Sequence, residues 1–268
     1  LEARFRESDP FDWPEAYTDG VKSWNSALTW SLGATWKIAG QWEVRALAST
    51  AFRSPNIDDF GKIRPKRGNV TVPNIDLSPE HALSGEVSIG KGWGEAAPGA
   101  AAPPVSVSVT GFYTYLTDAI VRVDADLFGD TLILFDGEQQ RVQTNVNASA
   151  AFVYGFSANA QAQWQKYWHF RAGVTYTYGR ETVNGQQSPL SHIPPLYGMG
   201  SLEYRRTAWS ARVVLRFNGK KPLSEYDLNG SDNADQATPE GSLAWVTYNL
   251  YGSWRLNPFL RLRLRAEN

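Results

Sequence analysis

Residues 105–115, "VSVSVTGFYTY", alternate between apolar and small polar side chains with a period of two. In an extended strand successive side chains point to opposite faces, so this pattern gives one apolar face and one mostly polar face. The apolar face carries valines followed by tyrosines, and the other carries serines and threonines together with Phe112. The stretch therefore predicts a long β-strand between an apolar and a polar environment.

The same alternation recurs along the chain, for example in 24–36, "WNSALTWSLGATW", and in 260–265, "LRLRLR". Residues 142–165 carry no charge and exceed the roughly 20 residues of a membrane helix. Their odd positions are dominated by Gln, Asn, Ser and Gly, which favours a long strand instead. This reading predicts an all-β protein without amphipathic helices. It has about eleven strands, approximately 1–6, 24–36, 41–52, 80–92, 105–123, 140–164, 169–178, 195–205, 209–217, 242–255 and 259–268.

The composition excludes several classes of function. A net charge of -1 gives no reason to expect nucleic acid as a partner. The absence of cysteine excludes disulfides, iron–sulfur clusters and cysteine-based zinc sites. The histidines, His81, His169 and His192, lie far apart, so we expect no metal site. No serine, histidine and carboxylate form a recognisable catalytic arrangement, and we predict neither an enzyme nor a bound cofactor.

The connections between the predicted strands alternate in length. Short ones such as "KIAGQ" take turns with long polar ones, which cover 7–23, 53–79, 124–138, 179–194 and 218–241. All long loops should then lie at one end of an antiparallel sheet, with Trp42, Trp164, Trp168 and Trp209 beside the short turns at the other. A polar interior, an apolar exterior and aromatic belts are typical of a transmembrane β-barrel. The alternative is a soluble all-β protein with tryptophans in its core.

The barrel hypothesis assigns a face to individual side chains. The residues expected to face lipid are Leu28, Leu32, Val107, Val109, Phe152, Phe156 and Leu262, with Leu262 near the midplane of the membrane. Those expected to face a polar lumen are Glu86, Ser108, Asn159, Arg261 and Arg263. Because three arginines cannot face lipid, Arg265 is expected in the lumen as well.

Short motifs mark the boundaries of several strands. A strand ends in "FRSPN" at 52–56, where Pro55 cannot donate to a ladder, and the next begins after "PNIDLSPE" at 73–80. Further motifs are "YTYLTDAI" at 113–120, "HIPP" at 192–195 and "RLRLRAEN" at 261–268. In this order the set resembles the TonB-dependent outer-membrane receptors over nearly the whole chain. The positions that carry the two main motifs are Phe52, Arg53, Pro55, Asn56, Asn74, Leu77, Pro79 and Glu80.

One motif departs from the family pattern, because Pro73 precedes Asn74 and one extra residue stands before Leu77. The resemblance implies an antiparallel 22-stranded barrel with a plugged lumen, located in the cell outer membrane. Residues 1–268 would form part of that barrel, beginning near mid-barrel, with the plug domain and the last strand outside the sequence. The implied partners are the TonB energy-coupling complex, acting through the plug, and outer-membrane lipid.

The function implied by the resemblance is active import of a scarce ligand, with a ferric siderophore as the leading hypothesis. A passive porin is the first alternative, and it would share the polar interior and the aromatic belts. Cobalamin and glycans stay open as ligands. Haem is disfavoured, because receptors of this family that take haem generally carry a histidine between the two motifs, and residues 56–72 contain none.

Two groups of basic residues are candidate functional sites. Lys62, Arg64, Lys66 and Arg67 form a cationic cluster in an outer loop, which could steer an anionic ferric chelate or simply be solvated. Arg261, Arg263 and Arg265 are expected either to pair with carboxylates of the plug or to line a wet channel. No metal-binding residue is predicted.

Overall fold

The computed structural model describes residues 2–3, 21–22, 24–60, 63–66, 68–94, 104–148, 150–227, 232 and 236–268. In these ranges the strands are β1 (Glu2–Ala3), β2 (Val21–Lys22), β3 (Ser31–Ile38), β4 (Trp42–Arg53), β5 (Arg64–Lys66), β6 (Asn69–Val72), β7 (Glu80–Trp93), β8 (Val105–Thr117), β9 (Ile120–Asp124), β10 (Leu132–Phe135), β11 (Glu138–Asn147), β12 (Ala150–Trp164), β13 (Trp168–Val183), β14 (Gln186–Pro189), β15 (Tyr197–Arg205), β16 (Trp209–Asn218), β17 (Trp245–Arg255) and β18 (Arg261–Ala266). The helical elements there are α1 (Ile57–Phe60) and a 3-10 turn (Leu223–Glu225). Among the residues described, no helix is long and apolar enough to cross a membrane.

The main sheet is antiparallel and follows chain order. Its strands run β3, β4, β7, β8, β12, β13, β15, β16, β17 and β18, and β14 adds to β13 as a hairpin. Consecutive strands therefore leave the short connections at one end and the long connections at the other, as the loop lengths predict. In the described chain β3 and β18 are the two edges, so the sheet is an open part of a barrel.

The ladder registers separate an apolar face from a polar face. Val109 lies opposite Ile89 on β7 and Ala158 on β12. Its neighbour Ser108 lies opposite Gly90 and Asn159. The same registers place Leu32, Val107, Phe152, Phe156 and Leu262 on the apolar face and Glu86, Arg261 and Arg263 on the polar face.

Aromatic side chains form two belts on the apolar face. At the short-turn end Tyr204 contacts Trp168 and Trp209, with ring centroids 4.8 and 5.0 Å apart. At the long-loop end Tyr154 contacts Tyr178 at 5.2 Å. Ten residues separate Trp168 from Tyr178 on β13, a rise of about 34 Å along the strand and about 25 Å across a membrane for a tilted strand. This distance matches the hydrocarbon thickness that a transmembrane β-barrel spans.

Phe112 is an aromatic side chain on the polar face, and Gly155 explains its position. A Cβ atom at residue 155 would lie 2.8 Å from the Phe112 ring and 2.1 Å from the carbonyl oxygen of Tyr176. The ring therefore covers bare backbone on the neighbouring strand, and only glycine fits beneath it.

A second, smaller sheet lies at the long-loop end, and it corrects two predicted strands. Residues 105–123 and 140–164 do not form single strands: β8 ends at Thr117, β9 begins at Ile120, and β11 ends three residues before β12 begins. The breaks occur because Asp118 has a left-handed φ of 57° and Asn147 bonds to neighbouring loops. We call β5, β6, β9, β10 and β11 the loop sheet.

The loop sheet also contradicts the expectation of antiparallel pairing throughout, since β6 and β11 pair in parallel. Parallel pairing is possible because these strands come from different loops, and no tight turn joins them. At the start of the chain, the predicted strand 24–36 begins later, at Ser31, and Leu28 lies outside it. Of predicted strand 1–6 and loop 7–23, only residues 2–3 and 21–22 are described, and these pair as β1 and β2.

Candidate functional site at the long-loop end

The loop sheet has an apolar core of its own. Val70, Val72, Leu127 and Val142 are buried together, and Val70 and Val142 have no exposed surface. Partly buried apolar side chains surround this core: Ile63, Ala125, Ile133 and Phe135. Two connections of the main sheet, 54–79 and 118–149, thus fold into one small structure rather than two separate loops.

The first motif pair meets where this structure joins the main sheet. Arg53, the last residue of β4, lies opposite Glu80, the first residue of β7. The Arg53 guanidinium donates to both Glu80 and Asp59, the latter at 2.8 Å. The second Glu80 oxygen accepts from the backbone N–H of Ile120 at 2.6 Å. We call Arg53, Asp59 and Glu80 the rim clamp, because they tie both loops to the ends of β4 and β7.

The remaining motif residues shape the entry to the loop. The Asn56 side-chain oxygen accepts from the backbone N–H groups of Asp58 and Asp59 at 2.8 and 3.1 Å, and so caps α1. Pro55 and Leu77 are buried. The Phe52 ring contacts His81 at 5.5 Å across the ladder.

Three asparagines connect the loop sheet to the strand ends. Asn147 accepts from the backbone N–H of Ser78 at 2.8 Å and donates to the carbonyls of Ser78 and Asp118 at 2.9 and 2.6 Å. Asn74 donates to the carbonyl of Asn145 at 2.8 Å, and Asn145 donates to that of Asp59 at 3.0 Å. Asn74 belongs to the motif at 73–80, whereas Asn145 and Asn147 belong to no motif. Their only signal was two asparagines at alternate positions of the uncharged stretch 142–165.

A second polar cluster joins the two later loops, 184–196 and 219–244. Arg180 donates to both oxygens of Glu225 at 2.7 and 2.8 Å. Lys221 donates to Asp232 at 2.9 Å, where both side chains are largely buried, and the Ser191 hydroxyl donates to Asp227. We call these six residues the loop latch. Sequence reasoning missed it, since its members are scattered over 53 positions of the chain.

Two carboxyl groups at the loop latch are in contrasting environments, Glu181 beside it and Asp232 within it. Glu181 lies three residues beyond Tyr178, on the part of β13 that pairs with β14, outside the membrane-spanning segment. Burial and the charge of Asp227 raise the pKa of Glu181 to about 7, although the Ser188 hydroxyl acts in the opposite direction. Burial alone would raise the pKa of Asp232 as well, but donors from His192, Lys221 and Asp227 lower it below its ordinary value.

A pocket of about 340 Å³ lies beside the latch, with Tyr178, Ile193, Lys221 and Glu225 among its lining residues. The "HIPP" motif supplies Ile193, Pro194 and Pro195 to its wall. Its lining combines aromatic, cationic and carboxylate groups. Within the described chain, no cluster of three His, Cys, Asp or Glu side chains is arranged to hold a metal ion.

The predicted basic cluster is only partly visible. Arg64 and Lys66 lie at the two ends of β5, the edge strand of the loop sheet, opposite Thr71 and Asn69. Lys62 and Arg67 lie outside the described residues. A role for these four residues in ligand capture stays a prediction.

The predicted lumen arginines lie on the polar face. Arg261, Arg263 and Arg265 of β18 stand opposite Arg255, Ser253 and Tyr251 of β17. Their pairing with a plug also stays a prediction.

Comparison with known proteins identifies the family. Residues 4–268 match the family described as TonB dependent receptor-like, beta-barrel. The chain belongs to this family. The match confirms the resemblance read from the motifs and the all-β antiparallel barrel fold. Members of the family and the structural neighbours are receptors and transporters, and the family is typically found in the outer membrane.

Solved structures of TonB-dependent receptors share the fold at low sequence identity. The copper transporter OprC aligns with a TM-score of 0.66 and 18% identity, over 89% of this chain and 33% of its own. A ferric enterobactin receptor variant from Pseudomonas aeruginosa, in complex with enterobactin, gives 0.63 and 16%, over 90% and 34%. The FrpB iron transporter from Neisseria meningitidis gives 0.63 and 17%, over 94% and 36%.

The chain thus spans about a third of the length of these receptors. No curated protein sequence matches it significantly.

Proposed function

We propose that the protein is part of an outer-membrane receptor that binds a ferric siderophore at the long-loop end and imports it with TonB-coupled energy. The observation that carries the proposal is the loop assembly, by which we mean the loop sheet, the rim clamp and the loop latch. Their side-chain contacts connect the described parts of four long loops to one another and to the strand ends. Ordering loops before a ligand arrives reduces the entropy lost on binding. A receptor for a scarce ligand gains affinity from such preorganisation.

The ligand class is supported by charge and by the relatives. Ferric siderophores are commonly anionic, and the sequence places four basic residues, Lys62, Arg64, Lys66 and Arg67, in the connection that forms β5 and β6. Opposite charge accelerates capture of a dilute ligand. Among the structural neighbours are a ferric enterobactin receptor and an iron transporter. Cobalamin and glycan receptors are the alternatives within the same family.

A passive porin is the alternative from another class. It requires a polar lumen, which this sheet supplies, but no energy source and no specific loop site. Dependence of uptake on energy and saturation at low ligand concentration therefore separate the two functions.

The test is radioactive iron uptake by cells that carry the full-length gene, its deletion, or the deletion complemented by the gene. Single ferric siderophores of catecholate and hydroxamate type are supplied as the iron source. The proposal expects one of them to support uptake that saturates, requires the gene and stops when TonB is deleted. Uptake that requires the gene but persists without TonB would show a porin. If no ferric siderophore depends on the gene while cobalamin or a glycan does, the proposed ligand class is wrong.

A further inference from the structure

Among the residues that the structure describes, Arg206 is a cation without a carboxylate partner, and it lies in the aromatic belt at the short-turn end. The Arg206 guanidinium lies 3.7 Å from the centre of the Tyr167 ring and 5.7 Å from that of Tyr204. Its Nε atom donates to the Tyr204 hydroxyl at 2.8 Å. Tyr204 is in turn fixed between Trp168 and Trp209. Two aromatic rings and one hydrogen bond thus hold the guanidinium in place.

The strand register shows which way this group faces. Tyr204 lies opposite Trp168 and Ala211, in the apolar row of the sheet. Arg206 follows two residues later, and its backbone N–H donates to the carbonyl of Trp209 at 2.8 Å, which closes the short turn. Arg206 is therefore on the apolar face, at the level where an aromatic belt meets the polar surface of a membrane.

The preceding residue provides a contrast. Arg205 lies opposite Ser210 on the polar face, and its Nε and one terminal nitrogen donate to the two carboxylate oxygens of Glu203, each at 2.9 Å. Arg206 makes no ion pair with any residue that the structure describes. Two adjacent arginines thus lie on different faces, and among the described residues a carboxylate balances the charge of Arg205 but not that of Arg206.

A second cation occupies an equivalent place on the sheet. The Lys91 amine lies 4.6 Å from the Trp42 ring centre and 5.5 Å from that of Trp93. Lys91 lies opposite Trp42 and Val107, again on the apolar face near the short turns. Its position is that of a lysine whose stem lies along apolar surface while its amine reaches the interface.

We infer that Arg206, with the rings of Tyr167 and Tyr204, binds the phosphate of an anionic phospholipid in the leaflet at the short-turn end. A planar guanidinium matches two phosphate oxygens, and the aromatic rings fix its orientation before the lipid binds. The acyl chains of that lipid would lie along the apolar face above the belt. Lys91 contributes a second, weaker contact of the same kind. The inference rests on the proposed membrane location but not on the identity of the transported ligand.

Native mass spectrometry of the full-length receptor in detergent tests this inference. The protein is titrated with phosphatidylglycerol and, separately, with zwitterionic phosphatidylcholine, and the bound lipid is counted. The variants are Arg206→Gln, the matched control Arg205→Gln, and Lys91→Gln. One arginine near a membrane surface contributes about 1 kcal/mol, so Arg206→Gln should weaken binding of phosphatidylglycerol about fivefold. Arg205→Gln should leave it unchanged, and Lys91→Gln should have a smaller effect.

Three results would overturn the inference. Equal losses of phosphatidylglycerol affinity in the two arginine variants would show a general charge effect. Unchanged affinity in Arg206→Gln would show that Arg206 does not bind the lipid. Displacement of the lipid by soluble glycerol phosphate at similar concentration would show that the site takes free phosphate. Retention of the SDS-resistant folded band in unheated gel samples excludes misfolding of the variants. Iron uptake by the Arg206→Gln receptor should remain normal, so failure of the lipid site is distinguishable from failure of the transport function.

Discussion

The main sheet and the loop assembly are stabilised in different ways. The main sheet repeats one structural pattern, a backbone hydrogen-bond ladder with apolar side chains on one face and polar side chains on the other. The loop assembly depends on individual side chains, such as Arg53, Asn147 and Arg180, each of which bonds to a particular partner. A repeated pattern tolerates change at many positions, whereas single contacts have no substitute. The stability of the main sheet should therefore depend on which face a substitution alters. The stability of the loop assembly should depend on which individual residue is replaced.

The largest effect should follow from placing a charge on the apolar face. Val109 lies midway between the two aromatic belts, so Val109→Arg should destabilise the full-length protein by about 2–4 kcal/mol. Ser108→Arg, one residue away on the polar face, should cost much less. Refolding titrations in lipid vesicles would measure both variants, and similar costs would contradict the assignment of faces.

Leu262 provides a second test of the apolar face. The sequence predicts that it lies near the midplane of the membrane, but the strand register places it elsewhere. It lies opposite Trp254 beside a short turn, in the aromatic belt and not at the midplane. Charged residues near an interface cost only about 0–1 kcal/mol. Leu262→Arg should therefore be milder than Val109→Arg in the same titration.

A smaller and more local effect is expected from Asn147→Ala. The change leaves one N–H group and two carbonyls without their side-chain partner, which should cost about 1–3 kcal/mol within the loop assembly. Hydrogen exchange of the full-length protein should become faster at Ser78 and in β9 and β11, and stay unchanged in the main sheet. In the control Asn257→Ala, which removes the acceptor for Phe259 and Leu260 at the other end, only that turn should exchange faster. If exchange in the loop sheet of Asn147→Ala stayed unchanged, the hydrogen bonds of Asn147 would not stabilise the loop sheet.

Sequence periodicity predicted the main sheet because a strand with two different faces repeats its signal at every second residue. It failed near Asp118 and Asn147, where apolar alternation continues through a change of sheet. Nothing local distinguishes Val121, which is buried in the loop assembly, from Val109 on the exposed face of the main sheet. The partner strand determines which sheet a segment joins. Here β9 pairs with β11, and β11 also pairs with β6, which comes from a loop distant in sequence.

The candidate site was predictable only where it coincided with a motif. Arg53 and Glu80 were found because they end one strand and begin another within a recognisable pattern. Arg180, Lys221 and Asp232 carry no such pattern, and their pairing depends on how two long loops fold over the sheet. Polar residues in loops are usually solvated, so composition alone could not distinguish the latch from ordinary loop surface.

The loops around the latch should respond to pH through Glu181, which lies near Asp227 of the latch. Its folded pKa of about 7 lies above the ordinary value of 4.5, so the folded state holds the proton more tightly than the unfolded state. The stabilisation is fully present below about pH 4.5 and is lost as pH rises through 7. Hydrogen exchange of residues 184–196, corrected for the intrinsic rate, should therefore become faster between pH 5 and 8. The free energy that protects these amides should fall by on the order of 1 kcal/mol.

Glu181→Gln should abolish this dependence and keep the loop protected at pH 8. Asp232→Asn is the opposite control, because a lowered pKa stabilises the fold at high pH and loses that contribution as pH falls. An unaltered pH profile in Glu181→Gln would exclude this carboxyl group as the source.

The smallest effect on stability should come from the basic cluster, because long-range charge acts mainly on the encounter with a ligand. Neutralising Lys62, Arg64, Lys66 and Arg67 should slow association of a ferric siderophore more than it changes dissociation. The loss should shrink between 0.1 and 1 M salt, where the Debye length falls from about 10 to about 3 Å. Stopped-flow binding at the two salt concentrations measures this. An unchanged association rate at low salt would end the steering hypothesis.

The central claim is that alternate residues of each long strand face lipid and a polar interior. Single cysteines are introduced one at a time from Val105 to Tyr115 of β8 in the full-length protein, after replacement of any cysteine outside this chain, and are spin-labelled in vesicles; the chain itself has none. Accessibility to oxygen, which partitions into lipid, should oscillate with a period of two, with maxima at Val107, Val109 and Gly111. Accessibility to a water-soluble nickel chelate should not show maxima at those positions. Accessibility to the nickel chelate at Val107→Cys and Val109→Cys as high as in water, or a profile without alternation, would contradict the account.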